Sequence, residues 1–411
     1  MWKQIEMITQ NELIDIIESQ QITFQAKALK VNREALSTVK VLPSFATIIT
    51  GLRRCGKSTL MLQLMNSQEE KILYLNFEDI RLVDFDQRDF IRLIQVIKEL
   101  GVKKLYFDEI QLLEKWEIFV HQLLNEEYQV FITGSNASLL SKELGTHLTG
   151  RHLSYELMPF SFSEFLAYHN ENPTSEQLKT YAKIGGMPEY VKHQEPQILL
   201  NLVNDILYRD IAVRHSIRDI ETLKKLTIYS LTNIGKLVSA NKLTDSFGLK
   251  STTTILDYFG FLSNSYVVEF MPMFSYSLKV QNRNPKKVYS LDNGIATIIS
   301  LSFSEDNGRK LENLVYQHLR RQGKELSYFK GKKECDFVVR SNNQSIELIQ
   351  VCYDLTIDNK DREINGLLEA MDFFELKEGV IVTFDQQEEF LLNDKIIKVI
   401  PAHVFLANYL L

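Results

Sequence analysis

The chain has 411 residues, 45% of them hydrophobic and 24% charged, a composition that excludes disorder as a description of the whole and calls for two or three domains. A net charge of −6 and a pI near 5.9 exclude a globally basic nucleic-acid binder but leave local basic patches open. The three cysteines, Cys55, Cys335 and Cys352, are odd in number and lack CxxC spacing, which argues against a disulfide framework or a zinc site and points to the reducing cytoplasm.

Residues 1–40 read as a mostly helical segment of mixed charge, with no apolar core of the kind that marks a signal peptide. No stretch reaches the roughly 18 apolar residues of a membrane-spanning helix, so no membrane partner is expected. From Phe45 to about Ser135, the β-rich runs FATIIT (45–50), KILYLNF (71–77), KKLYFDE (103–109) and YQVFITG (128–134) alternate with helical spacing such as DFIRLIQVIKEL (89–100). That alternation predicts an α/β domain: a parallel sheet with helical crossovers on both faces.

Between the first strand and the helical run STLMLQLMN lies GLRRCGKST (51–59), which fits G-x-x-x-x-G-K-[ST]. In that setting Gly51, Cys55, Gly56, Lys57, Ser58 and Thr59 form a phosphate-binding loop. Its backbone N–H groups and the following helix N-terminus face phosphate oxygens. Lys57 is expected to reach the β- and γ-phosphates of ATP, and Ser58 to hold Mg²⁺. The strand 103–109 ends in Asp108, expected to bind Mg²⁺ through water, and Glu109, expected to polarise the attacking water. The next strand runs into Ser135 and Asn136, where a polar side chain can sense the γ-phosphate or cap a helix. Phosphoryl transfer also calls for an arginine, supplied in cis or in trans. Arg151 is the favoured candidate and Arg209 the other; Arg53 and Arg54 lie inside the loop.

Residues 150–220 read as a helix-rich extension of the ATPase domain, which spans 41–220. In 221–295, three helical patterns precede a hairpin. In the third, Ile255, Tyr258, Phe259 and Leu262 share one face. Three helices and a wing predict a winged helix, with Lys279, Arg283, Lys286 and Lys287 on the wing. Such a module can enter a major groove of DNA, or serve as a lid against protein.

Residues 296–411 predict a second small α/β domain. Glu312 on a helix, Asp336 in a strand and Gln350-Val351-Cys352 on the next strand follow the metal-site pattern of PD-(D/E)XK nucleases, whose restriction-endonuclease-like fold is expected here. Gln350 is a weak ligand and Cys352 cannot replace a lysine, so the site reads as degenerate. The basic cluster Arg320, Arg321, Lys324, Lys330, Lys332 and Lys333 can still hold a nucleic-acid backbone.

The segments GLRRCGKST, YFDEIQ, NFEDIRL (76–82), TGSNASLL, GRHLSYELMPFSFSEFL (150–166), GGMPEYV (185–191), LYRDI and PKKVYSLDNGIA (285–296) together resemble the prokaryotic AAA-type ATPases that carry a C-terminal PD-(D/E)XK-like domain. The resemblance spans nearly the whole chain. It implies an AAA-type core, a winged-helix middle and a nuclease-like end, in proteins that often form homo-oligomeric rings in which a neighbour's arginine completes the site. The function expected from residues and resemblance together is an ATPase acting on or near DNA. The alternative is a nucleotide-dependent switch whose C-terminal domains bind proteins.

Overall fold

A computed structural model describes residues 8–67, 70–134, 150–249, 251–301, 306–341 and 343–408. The chain divides into two compact units, Met1–Met158 and Pro159–Leu411. The helices expected to extend the ATPase domain therefore fall in the second unit, and the N-terminal segment falls in the first.

The first unit is built on a five-stranded parallel sheet in the order β2-β3-β4-β1-β5. Its strands are β1 (Ala46–Thr50), β2 (Ile72–Asn76), β3 (Lys104–Asp108), β4 (Gln129–Thr133) and β5 (His152–Glu156). Four of them coincide with the apolar runs. The fifth, HLSYE, was expected to be helix-rich sequence. It is a half-exposed edge strand with polar residues, and only its register with β1 (Ala46 with His152, through Thr50 with Glu156) makes it a strand. Helices α1 (Gln10–Gln25), α2 (Lys57–Asn66), α3 (Gln87–Leu100) and α4 (Trp116–Asn125) flank the sheet. In α3 an Asp86/Asp89 capping box starts the helix, and Phe90, Leu93, Ile94 and Ile97 recur at helical spacing and are buried. Each such side chain contributes about 1.5–3 kcal/mol on burial. This order makes the C-terminal ends of β1, β4 and β3 neighbours, and ligands of open α/β sheets bind outside that edge.

The second unit opens with helices α5 (Phe162–His169), α6 (Ser175–Ile184), α7 (Pro188–His193) and α8 (Pro196–Asp205), the last running into a π-helical stretch, Ile206–Val213. Next come α9 (Ile220–Thr232), β6 (Leu237–Val238), α10 (Ala240–Ser246), α11 (Thr252–Asn264), β7 (Val268–Met271), α12 (Leu278–Arg283) and β8 (Lys286–Ser290). The strands form a three-stranded antiparallel sheet, β6-β8-β7. After α13 (Asn293–Ile299) and α14 (Asn307–Arg321), a six-stranded mixed sheet runs β13-β14-β12-β11-β10-β9. It comprises β9 (Glu325–Lys330), β10 (Glu334–Arg340), β11 (Ile346–Val351), β12 (Glu378–Thr383), β13 (Glu388–Leu392) and β14 (Lys395–Pro401), with α15 (Ile357–Phe373) packed on it and α16 (Ala402–Asn408) at its end.

Two of the family-like segments meet in this unit. Asp292 caps α13 by accepting from Ile295 N at 2.9 Å and takes the Gly186 N–H at 2.6 Å. Burial pushes its carboxyl up to about 6, against the pull of those N–H groups. A Cβ on Gly294 would lie 2.0 Å from Ile184 O. Gly294→Ala is therefore expected to destabilise the second unit by about 1–3 kcal/mol. A chemical-denaturation midpoint equal to wild type would show that the contact can relax.

Candidate functional site

The loop after β1 is shaped by close backbone approach. Gly51 has φ of 136°, and a Cβ there would sit 2.0 Å from Leu157 O, so only glycine fits. Helix α2 begins at Lys57, directly after the loop. The Lys57 side chain is buried and its amine donates to Gly51 O at 3.2 Å and Leu52 O at 3.1 Å. Ser58 is half-buried and Thr59 exposed. Cys55 is buried and its thiol donates to Leu157 O at 3.2 Å; burial pushes its pKa up. The expected loop residues are thus brought together in one turn.

Asp108 ends β3 and Glu109 follows it. Asp108 is 2% exposed, and its two oxygens are held from both neighbouring strands: Tyr74 OH on β2 donates at 3.0 Å, and the Thr133 hydroxyl on β4 donates to the other oxygen. Thr133 Oγ in turn accepts the Glu109 N–H at 3.0 Å, fixing the Glu109 backbone at φ of 55°. The Glu109 carboxylate accepts from the Gln111 amide. Burial raises its pKa, and the nearby Lys57 charge partly opposes this. Burial, then Asp108, also raises the Tyr74 pKa well beyond the usual phenol range, so the phenol stays a donor. Gln111 Oε1 is buried and finds no hydrogen-bond partner among the described residues.

Thr133, Tyr74 and Gln111 were missed by sequence reasoning, which looked past β4 to Asn136. Asn136 and Ser135 lie outside the described residues. The available signal was position: Thr133 is the last residue of a strand adjacent to both the loop strand and the acid strand.

A second omission is Arg33. It is 2% exposed and lies behind the loop, donating to Cys55 O at 2.7 Å and Met158 O at 2.6 Å. Gln63 of α2 ties the same segment down, accepting from Arg33 N at 3.0 Å and donating to Val31 O at 2.7 Å. The N-terminal segment thus braces the phosphate loop.

The structure places the favoured arginine away from the loop of its own chain. Arg151 precedes β5 at the N-terminal edge of the sheet, opposite the loop. It donates to Ser44 O at 3.0 Å, Asn125 Oδ1 at 2.7 Å and Leu124 O at 3.3 Å. A guanidinium there cannot serve the phosphates of its own chain. Arg209 is exposed on the π-helical stretch of the second unit, and Arg53 faces Glu78 at 3.8 Å.

In the second unit Glu312, Asp336 and Gln350 do converge, but not as an open site. Asp336 Oδ2 accepts from Val351 N at 3.0 Å. Gln350 Oε1 accepts from Asp336 N at 3.1 Å, and its amide donates to Glu363 at 2.7 Å. The basic residues also have internal partners. Arg320 pairs with Glu269 at 3.0 Å, Arg321 donates to Phe160 O at 3.1 Å, and Lys330 pairs with Glu334 at 3.2 Å. Lys287, expected on an exposed wing, is 3% exposed and bonded to carboxylates.

A family described as "AAA domain" matches residues 44–166, and two domains of unknown function, DUF8612 and DUF4143, match residues 175–307 and 307–405. An uncharacterized protein of Methanocaldococcus jannaschii is 34% identical over 96% of this chain and 95% of its own. An uncharacterized protein of Haemophilus influenzae is 32% identical over 80% of this chain and 87% of its own. Among solved structures, a chain from "Structure of Drosophila ORC bound to AT-rich DNA and Cdc6" aligns over 70% of this chain and 90% of that one. It does so at 10% identity and a TM-score of 0.21, too low to bear on fold or function. No helix among the described residues is long and apolar enough to cross a membrane.

Arg33→Ala removes the donors to Cys55 O in the loop and Met158 O after β5. The expected result is a loss of roughly 2–3 kcal/mol of stability together with weakened nucleotide binding. Denaturation and nucleotide titration of the same variant check both.

Proposed function

This chain belongs to the same family as the Methanocaldococcus jannaschii protein and carries an AAA domain at residues 44–166; we propose that it is a magnesium-dependent ATPase whose turnover drives a DNA-associated activity. The observation that carries the reading is the juxtaposition of three strand ends: the Lys57 loop after β1, Thr133 on β4, and Asp108-Glu109 on β3. Loop N–H groups and Lys57 bind the phosphates. Ser58 and Asp108 are oxygen donors of the kind magnesium takes, with Asp108 acting through water. Bound magnesium supplies neutralisation of the β- and γ-phosphate charge. Glu109 accepts the proton of the attacking water. The free acceptor of Gln111 beside it suits orienting that water.

Lys57→Ala is expected to lose ATP binding. Glu109→Gln is expected to keep binding and lose turnover by about 10²-fold or more. Turnover of Glu109→Gln at the wild-type rate would show that the base is misassigned. Burial favours the protonated form of Glu109, so activity falls as pH falls through its raised pKa, and the acid limb of kcat/KM, which reports the free enzyme, should lie above the ordinary 4.5. A limb at or below that value counts against Glu109.

The DNA reading has its support in the α9–β8 region, whose three helices and antiparallel sheet suit a winged helix. A cleft of about 490 Å³ lies between α11 and the α12–β8 turn, and its lining includes Asn241, Thr252, Arg283 and Lys286. Arg283→Glu with Lys286→Glu is expected to weaken duplex binding at low salt by tenfold or more; Lys287 must be left intact. A chain that binds no DNA at low salt, with or without ATP, overturns this part. It would favour the protein-binding switch, a reading supported by the internal pairing of Arg320, Arg321 and Lys330.

A further inference from the structure

The carboxylates that resemble a nuclease metal site already face a cation. Along β8 the side chains alternate, leaving Lys286 half-exposed and turning Lys287 inward. Lys287 Nζ lies 2.7 Å from Asp336 Oδ1, 3.0 Å from Glu334 Oε1 and 3.1 Å from Glu312 Oε1. An ammonium has three donors, and here each meets one carboxylate oxygen. Tyr289, two residues on and on the same face, donates to Glu312 Oε1 at 2.6 Å and stacks on Tyr316 at 4.1 Å.

Other polar atoms of the cluster are also taken. Asp336 Oδ2 accepts a backbone N–H from β11, and Gln350 bridges Asp336 N and Glu363. Magnesium demands six oxygens near 2.0–2.1 Å and retains several waters. A cluster closed around a 3% exposed amine does not fit it. Among the described residues no group of three or more His, Cys, Asp and Glu side chains is arranged to hold a metal. The electrostatics agree. Burial would strip the proton from Lys287, but Asp336 and Glu312 hold it on, leaving the amine well above its ordinary range.

We propose that Lys287 is an internal cation standing where the nuclease-like pattern would place a metal, fastening β8 to α14 and β10 and excluding divalent ions from Glu312, Glu334 and Asp336. The inference is independent of ATP hydrolysis. Deleting the amine leaves three converging carboxylates with no counter-charge, an arrangement that like-charge repulsion disfavours and a divalent ion relieves.

The test titrates nucleotide-free full-length protein with Mn²⁺, read by electron paramagnetic resonance. Wild type and Asp336→Asn should bind Mn²⁺ equally, because the cluster takes none. Lys287→Ala, or the bulkier Lys287→Met, should gain one equivalent that adding Asp336→Asn removes. Lys287→Arg, which keeps the cation, should gain none. Lys287→Ala should also melt at lower temperature and recover with Mn²⁺. A Mn²⁺ site in wild type that Asp336→Asn abolishes overturns the proposal, whether or not the Lys287 variants fold. So does a folded Lys287→Ala or Lys287→Met that takes up no more Mn²⁺ than wild type.

Discussion

A charge removed from water must be answered within hydrogen-bonding distance, and the ammonium of Lys287 shows what that constraint organises. Three carboxylates on α14 and β10 surround it, so β8 of the small sheet cannot leave α14 and β10 without breaking all three contacts. The same strand is held by Ser290 and Asn313, whose amide donates to Ser290 O at 3.0 Å and whose carbonyl accepts from Ser290 N at 2.9 Å. Breaking one partner of such a buried cluster is expensive, on the order of 3–5 kcal/mol, because the others are left uncompensated. The three-stranded sheet and the six-stranded sheet are thereby joined into one unit.

The first unit meets the same constraint at Asp108. Its carboxylate is buried at the end of a central strand and is answered from both sides, by Tyr74 and Thr133. Thr133 then fixes the backbone of Glu109, so one hydroxyl sets both acids, Asp108 and Glu109, together. Arg33 plays the corresponding part behind the loop, where its guanidinium ties Cys55 O of the loop to Met158 O after β5. Each of these groups contacts the proposed catalytic residues or their loop. They position that machinery rather than add to it.

Much of this was legible in the sequence. Apolar runs with β-branched and aromatic residues gave β1 to β4, and the glycine spacing with Lys57 and Ser58 marked the loop, because both signals are local. Asp108 and Glu109 could be read from their place at a strand end. The sequence also indicated that Glu312, Asp336 and Gln350 belong together. Partners distant along the chain were not legible. Nothing in residues 30–40 marks Arg33 as a brace, and β5 carries too little apolar signal to stand out.

What the sequence by itself determined is the set of local rules: where strands and helices run, and which short motif can wrap a phosphate. Tertiary structure decided how distant charges pair. It placed Arg151 at the far edge of the sheet, 26 residues along the chain from the Asn125 carbonyl it bonds. It also carried Lys287, read as a wing residue, 49 positions along the chain to the carboxylate of Asp336. The physical reason is range. Hydrogen-bonding and backbone preferences act within a few residues and are written in spacing, whereas a buried charge selects its partner by proximity in the folded interior. Only the order of strands and the register between them supplies that proximity.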